Sequence, residues 1–307
     1  MALAGLTSKR GGLSARNRRA NKPVHAPAPP RRPPAYVITL AIPFPAIDPV
    51  LVQIGPFAIR WYALAYIGGL VLGWQYLRRI VQRPGWRMTP EDVDDLLVYV
   101  TLGVVLGGRI GYVLFYQPGY YLGHPLEALA VWQGGMSFHG GMLGSILAML
   151  LFAWRRGLPA LDVLDGVATV APIGLFFGRL ANFVNGELWG RTTDLPWGMV
   201  FPHAGPEPRH PSQLYEAFLE GLVLFLILDR LARLPRTPET YGRLGGAFLL
   251  GYGLFRFLIE FAREPDVQLG FLVGGLTMGQ LLSLPMIAVG LFAVGRTFGR
   301  AVRVTDS

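Results

Sequence analysis

Three polar side chains, those of Arg179, Asn182 and Glu187, follow directly on an apolar stretch of this chain. They belong to the run GRLANFVNGELWGR (178–191), and the segment before it, GVATVAPIGLFF, carries no charge. Arginine presents a planar set of donors that suits phosphate and carboxylate groups, and an amide can donate to the same oxygens. The pattern therefore indicates an anion-binding site at the end of an apolar helix.

Ionisable residues interrupt other apolar runs as well. Tyr252, Arg256 and Glu260 are spaced by four residues, which places them near one face of a helix, and Arg109 lies within GGRIGY. A charge at the centre of a membrane costs about 2.5–3.5 kcal/mol, so each should face a cavity or a partner. For Arg256 with Glu260 alone, a structural ion pair is the simpler interpretation. Polar groups on five helices at one depth instead favour a shared polar cavity.

The composition indicates the kind of scaffold that must position these groups. Of the 307 residues, 52% are hydrophobic and only 15% are charged, and the mean hydropathy is +0.39. Apolar runs recur along most of the chain, which is typical of a polytopic membrane protein. We predict an all-α bundle of about seven transmembrane helices with a small outer, periplasmic-side region. The predicted spans are 58–77, 94–116, 137–155, 161–184, 211–231, 244–263 and 276–295.

The distribution of positive charge predicts the orientation. Alternate connections and the C-terminal end hold 13 Lys and Arg residues, against 3 in the others, so the C-terminus is expected in the cytoplasm. The predicted domains are a disordered, basic, Pro/Ala-rich tail at 1–38, a membrane domain at 39–297 and a short cytoplasmic tail at 298–307. This topology puts the basic N-terminal tail outside. Either the tail is an N-terminal extension whose charges have less effect on the orientation than the other charges have, or the first predicted span is wrong.

Several classes of chemistry find no support in the sequence. The absence of cysteine excludes disulfides, thiolate metal sites and a cysteine nucleophile. The five histidines are scattered, so we expect neither a metal nor another cofactor. The net charge of +9 does not indicate nucleic-acid binding, because eight basic residues lie in the first 32 positions and most others flank apolar runs.

At GRLANFVNGELWGR the sequence resembles the prolipoprotein diacylglyceryl transferase family. The likeness extends in order over about 41–295. It includes IDPVLVQIGPFAIRWYALAY (47–66), GGRIGYVLFY (107–116), GGMSFHGGMLG (134–144), RHPSQLYEAFLEG (209–221) and YGLFRFLIEFAREPD (252–266).

The resemblance implies a reaction and its partners. Such enzymes of the bacterial inner membrane transfer the diacylglyceryl group of phosphatidylglycerol to the lipobox cysteine thiol of a preprolipoprotein. A thioether forms and glycerol phosphate leaves. The expected partners are therefore phosphatidylglycerol, the signal peptide with its lipobox cysteine and membrane lipids, with no nucleic acid. The lack of cysteine in the chain agrees with a nucleophile that arrives with the substrate.

The resemblance and the chemistry together predict the site residues, with Arg179 and Arg256 holding the leaving phosphate. Those expected to act in the transfer are His139, Arg179, Arg256, Tyr62, Asn182, Glu187 and Glu260. Those expected to bind substrate are Arg179, Arg256, Arg109, Asn182, Gly190, Tyr252, His210, Gln213 and Glu216.

Several of these residues have a second interpretation. His139 is either the base that activates the thiol or a histidine at a helix start, bonded to a neighbour. Arg109 either binds lipid or locks helices together. Tyr62 is equally an interfacial aromatic residue. Glu187 orients arginines or only balances their charge, and Gly190 serves backbone geometry or close approach.

Two other functions remain open at this level. A transporter of lipids or organic anions would also place charges inside a bundle, although no internal repeat is evident. An intramembrane protease would need a Ser/His pair or two aspartates at depth. Asp162 and Asp165 are only three residues apart at the start of a predicted helix, where acids commonly stabilise the helix N-terminus.

Overall fold

The computed structural model describes residues 42–45, 47–265 and 270–305. The predicted tail at 1–38 lies outside these residues. The described chain is mostly helical, so the prediction of a helical bundle is confirmed. The helices are α1 Trp61–Ile80, α2 Pro90–Phe115, α3 Pro118–Gly123, α4 Phe138–Arg156, α5 Ala160–Val184, α6 Ser212–Glu216, α7 Leu224–Ala232, α8 Arg243–Ile259 and α9 Met278–Thr305.

Four short strands accompany the helices in the described part of the chain. β1 (Ile42–Pro43) pairs in parallel with β4 (Met199–Val200), and β2 (Val50–Ile54) pairs antiparallel with β3 (Phe57–Arg60). Because β3 continues to Arg60, α1 begins three residues after the predicted start of the first span at residue 58. Gly55, with a φ of +59°, supplies the tight turn of this hairpin.

Four described helices are long and apolar enough to cross a membrane: α2, α4, α5 and the Met278–Thr297 part of α9. α8 has only 17 residues. The segment from α6 to α7 is helical throughout, but the π-helical stretch Ala217–Val223 separates the two α-helices. The backbone of the predicted C-terminal tail continues α9 as far as Thr305.

Local sequence fixes where α2 and α4 begin and end. At α2, the Thr89 hydroxyl accepts from the Asp92 N–H at 3.2 Å and the Asp92 carboxylate accepts from the Thr89 N–H at 2.9 Å, which forms a capping box. Ser137 caps α4 by accepting from the Gly140 N–H at 3.2 Å. Gly157, with a φ of +63°, ends α4 in the left-handed conformation.

α2 and α4 pack with their backbones in close approach. A Cβ on Gly103 would lie 2.5 Å from the Gly144 carbonyl oxygen, and one on Gly107 would lie 2.4 Å from the Gly140 carbonyl oxygen. Small residues permit this kind of contact between helices in lipid, where no hydrophobic force drives association. Elsewhere in the bundle α1 packs against α5, and α8 packs against α9.

The main apolar core lies at one end of the bundle, where α1 and α4 end and α2 and α5 begin. Its fully buried members include Ile80, Phe152 and Val163. At this end the buried Arg236 guanidinium contacts Asp162 at 2.7 Å and Asp165 at 3.2 Å. The two aspartates are thus not only acids at a helix start. They join α5 to the connection before α8, which is a structural role.

Candidate functional site

A second set of buried charges lies at the opposite end of α5. Asp162 and Arg179 are 17 positions apart on this helix, which corresponds to roughly 25 Å along its axis. Here the end of α5 meets the start of α6 and the end of α8. The charged side chains that meet form what we call the arginine–glutamate cluster: Arg179, Glu216, Glu220, Arg256, Glu260 and Arg263.

Glu216 is the centre of this cluster. Its Oε1 accepts a hydrogen bond from Arg256 Nη1 at 2.7 Å and another from Arg263 Nη1 at 2.9 Å. Its Oε2 lies 2.9 Å from Arg179 Nε. The carboxylate is fully buried. One glutamate on α6 therefore holds three arginines from separate parts of the chain, and such compensation is what a buried charge requires.

Glu260 extends the cluster to the start of α9. It forms ion pairs with Arg256, four residues earlier on α8, and with Arg263 at 3.5 Å. The Thr277 hydroxyl donates to Glu260 Oε2 at 2.6 Å. Gly279 leaves room for this carboxylate, because a Cβ there would lie 2.5 Å from Glu260 Oε1. The predicted ion pair between Arg256 and Glu260 is confirmed.

Glu187 belongs to the turn that follows α5. Its Oε1 accepts from the Asn182 amide at 2.8 Å, and its backbone carbonyl accepts from the Gln213 amide at 2.6 Å. Leu188, next in the chain, has a φ of +59°, and its carbonyl accepts from the buried Ser212 hydroxyl at 3.0 Å. These bonds tie the turn to the first residues of α6 and stabilise a strained backbone.

Gly190 lies where three segments of backbone meet. Its N–H donates to the His210 carbonyl at 2.9 Å, and the Arg191 N–H donates to the Ala262 carbonyl at 2.9 Å. A Cβ at Gly190 would lie 2.4 Å from the Ala262 carbonyl oxygen and 2.7 Å from His210 Cβ. The Arg191 guanidinium adds hydrogen bonds to the carbonyls of Glu260 and Arg263. Gly190 therefore serves close approach.

His210 is half-buried just before α6. Its Nδ1 lies 3.2 Å from the Tyr215 hydroxyl, which accepts from Trp197 Nε1 at 2.7 Å. Burial lowers the pKa of His210 below its ordinary value of 6.5. His210 therefore contacts Tyr215 and the backbone of Gly190, and its side chain makes no ion pair with the cluster.

Two tyrosines lie within electrostatic reach of the cluster. Tyr62 on α1 experiences the charges of Glu187 and Arg179, and its hydroxyl is 3.2 Å from that of Tyr66. Tyr252 on α8 experiences the charges of Glu220 and Arg256 among others. Tyr62 therefore lies near two of the predicted site residues, Glu187 and Arg179.

Arg109 and His139 lie apart from these contacts. The buried Arg109 guanidinium donates to the carbonyls of Glu127, Ala128, Gly134 and Gly135 at 2.6–3.3 Å. Its donors thus hold the loop between α2 and α4, and a role of Arg109 in lipid binding stays a prediction. His139 is exposed near the start of α4 and, within the described residues, makes no side-chain hydrogen bond. Both interpretations of His139 therefore stay predictions.

Sequence reasoning missed several members of this region. Arg263 entered only the count of positive charges that predicts membrane orientation, yet it binds Glu216 and Glu260. Glu220 was not among the predicted site residues, although it lies 3.7 Å from Arg179. Both occur within the quoted motifs, at spacings of seven residues after Arg256 and four after Glu216. These helical spacings were the available signal.

The cluster presents positive charge to its surroundings. The side chains of Arg179, Arg256 and Arg263 are 17%, 15% and 12% exposed, whereas Glu216 and Glu220 are fully buried and Glu260 is 4% exposed. The arginine side chains are thus more exposed than the glutamate side chains that pair with them. This arrangement suits an anionic ligand. No group of three or more potential metal-binding side chains occurs in the described ranges.

Together, the fold and the cluster define a helical membrane protein in which three arginines and three glutamates meet where α5, α6 and α8 come together. A family model described as "Prolipoprotein diacylglyceryl transferase" matches residues 49–296, and the chain belongs to this family. The match covers every member of the arginine–glutamate cluster.

Relatives named phosphatidylglycerol–prolipoprotein diacylglyceryl transferase agree with this assignment. The protein of Methylocella silvestris is 59% identical over 264 residues, which cover 84% of this chain and 97% of that protein. The proteins of Paramagnetospirillum magneticum and Rhodospirillum rubrum are each 61% identical, over 255 and 260 residues. Each match covers 83% of this chain and 95% of the relative.

Proposed function

We propose that the chain is a transferase that moves the diacylglyceryl group of phosphatidylglycerol to the lipobox cysteine thiol of a preprolipoprotein. Membership of the family and relatives at 59–61% identity over most of their length support this function. The structural observation that carries it is the cluster of partly exposed arginines over buried glutamates, because the substrate lipid offers a phosphodiester anion.

Arg179 and Arg256 hold the phosphate in this proposal. Both are largely removed from water, and a charge-assisted hydrogen bond gains strength in such surroundings. Glu216 fixes the orientation of both guanidinium groups through the contacts described above. Asn182 donates to Glu187 through its amide nitrogen, which leaves its carbonyl oxygen to accept from the glycerol hydroxyls of the head group.

The reaction is a displacement at a saturated carbon. The thiol loses its proton to a base, the thiolate sulfur forms a bond to the glyceryl carbon, and the carbon–oxygen bond to phosphate breaks. The products are a thioether and glycerol phosphate. The thiolate is the nucleophile, and the leaving phosphate gains charge that the arginines stabilise. His139, exposed at the start of α4, is our candidate for the base that accepts the thiol proton.

The charge distribution supports one orientation in the membrane. We propose that seven segments cross the inner membrane: α1, α2, α4, α5, the α6–α7 segment, α8 and α9. The C-terminus then lies in the cytoplasm, and the arginine–glutamate cluster faces the outer side, where a signal peptide exposes its cysteine. The excess of Lys and Arg at the opposite ends of these helices supports this arrangement.

The test uses purified full-length protein in lipid nanodiscs that contain phosphatidylglycerol, with a lipobox-cysteine peptide and mass spectrometry. We expect a diacylglyceryl mass on the peptide cysteine, and its loss in Arg179→Ala. Arg79→Ala is the matched control, because Arg79 is exposed near the far end of α1. No adduct from a folded wild type that binds phosphatidylglycerol would reject the proposal and make lipid transport the leading alternative.

A further inference from the structure

Glu220 is the least compensated charge in the arginine–glutamate cluster. It lies in the π-helical stretch Ala217–Val223, and its side chain is fully buried. Neither carboxyl oxygen accepts a hydrogen bond within the described residues. Its ion-pair contact with Arg179 Nη2 is 3.7 Å long, well beyond the usual distance for a charge-assisted hydrogen bond.

The other two glutamates have much closer partners. Glu216 contacts three arginines at 2.7–2.9 Å. Glu260 contacts two arginines and accepts from Thr277 at 2.6 Å. The close contacts of the arginines therefore go to Glu216 and Glu260. Glu220 has only the longer contact with Arg179.

Charged and titratable groups surround Glu220 on α5, α6 and α8 and in the residues after α8. α5 contributes Arg179, α6 contributes Glu216, α8 contributes Tyr252 and Arg256, and Arg263 follows α8. With all three glutamates ionised, they would cancel the three arginines. An ionised carboxylate without a hydrogen bond is also costly in a buried site, whereas the neutral acid avoids most of that cost.

We propose that Glu220 holds a proton in the substrate-free protein, so that the arginine–glutamate cluster carries one net positive charge. This inference rests on the proposed lipid substrate, because one positive charge matches the single negative charge of a phosphodiester. It also assigns Glu220 a positioning role, in which the neutral acid leaves Arg179 Nη2 available to the phosphate. Loss of the proton would add a competing negative charge beside Arg179.

The direct test is infrared spectroscopy of the full-length protein in nanodiscs of ether-linked phosphatidylcholine, which carries no net charge and no ester carbonyl to absorb in the same region. At about pH 7 the wild type should show the carbonyl stretching band of a protonated carboxylic acid, and Glu220→Gln should lack it. Glu91→Gln is the control, because Glu91 is exposed at the start of α2; this variant should keep the band. A wild type without the band, or a band that persists in Glu220→Gln, would overturn the inference.

A second readout is the binding of phosphatidylglycerol. Raising the pH from about 7 to about 9 should weaken wild-type binding at least about tenfold, because a full charge appears beside Arg179. The Glu220→Gln variant should show no such slope. An equal slope in both proteins would contradict the inference. The band does not depend on catalysis, so an intact band without thioether product would reject the proposed function while leaving the protonation of Glu220 in place.

Discussion

Nε of Arg179 on α5 lies 2.9 Å from Oε2 of Glu216 on α6. Oε1 of the same carboxylate accepts from Arg256 and Arg263. Glu216 therefore connects the two arginines that we propose bind phosphate. Their separation and orientation depend on one side chain that is itself inaccessible to substrate.

Replacing Glu216 with glutamine should abolish most of the transfer activity. Glutamine keeps the shape but removes the charge that holds three arginines, and removal of one partner of a buried ion pair costs about 3–5 kcal/mol. We expect transfer to fall about 100-fold or more, together with a lower thermal unfolding midpoint. Glu264→Gln is the control, because Glu264 forms an exposed pair with Arg209. Equal activities of Glu216→Gln and the control would contradict a central role for Glu216.

Gly190→Ala should damage the site through backbone geometry. The added methyl group would lie 2.4 Å from the Ala262 carbonyl oxygen, and such overpacking costs about 1–3 kcal/mol. Because Ala262 precedes Arg263, the displacement should also reduce transfer. Gly178→Ala is a matched control, since no atom lies within 4 Å of a Cβ at that position. Comparison of unfolding free energies and transfer rates tests the prediction, which fails if both variants behave alike.

Arg109→Ala should loosen a loop without weakening lipid binding. Arg109 donates to four carbonyls between Glu127 and Gly135, and loss of these charge-assisted bonds should cost about 3 kcal/mol. Hydrogen–deuterium exchange should accelerate across residues 127–136, while the KM for phosphatidylglycerol stays close to that of the wild type. A raised KM with unchanged exchange would instead assign Arg109 to lipid binding.

Acidification should destabilise the protein in part through His210. Because burial lowers the pKa of His210, the unfolded chain binds this proton more readily than the folded chain does. Stability is therefore fully present above the unfolded pKa of about 6.5 and is lost as the pH falls toward the folded pKa. The unfolding midpoint of His210→Gln should fall less than that of the wild type between about pH 7.5 and about pH 5.5. His203→Gln, which alters an exposed histidine, should follow the wild type; if His210→Gln does so too, the prediction is wrong.

Sequence patterns predicted those features that depend on local spacing. Arg256 and Glu260 pair because four residues separate them on one helix. The long apolar runs likewise became helices. The hairpin before α1 was not predicted, although Gly55 and Pro56 mark a turn, and the predicted first span began within β3.

Features that depend on several segments meeting could not be predicted in the same way. No spacing in the sequence shows that Glu216 collects arginines from α5, α8 and the residues after α8. Likewise, no spacing around Arg109 shows that its guanidinium donates to the carbonyls of the loop between α2 and α4. The exposed position of His139 is also a property of the packing of α2 against α4.

The π-helical stretch between α6 and α7 makes the length of that segment as important as its composition. π-Helical turns arise where a helix accommodates an additional residue. Deleting one residue within 217–223 would turn the helix before it by about 100° relative to α7. Glu216 would then no longer point toward Arg179, although every charged residue would still be present. Chimeras between relatives must therefore preserve the residue count here, since an unchanged set of side chains does not guarantee an intact site.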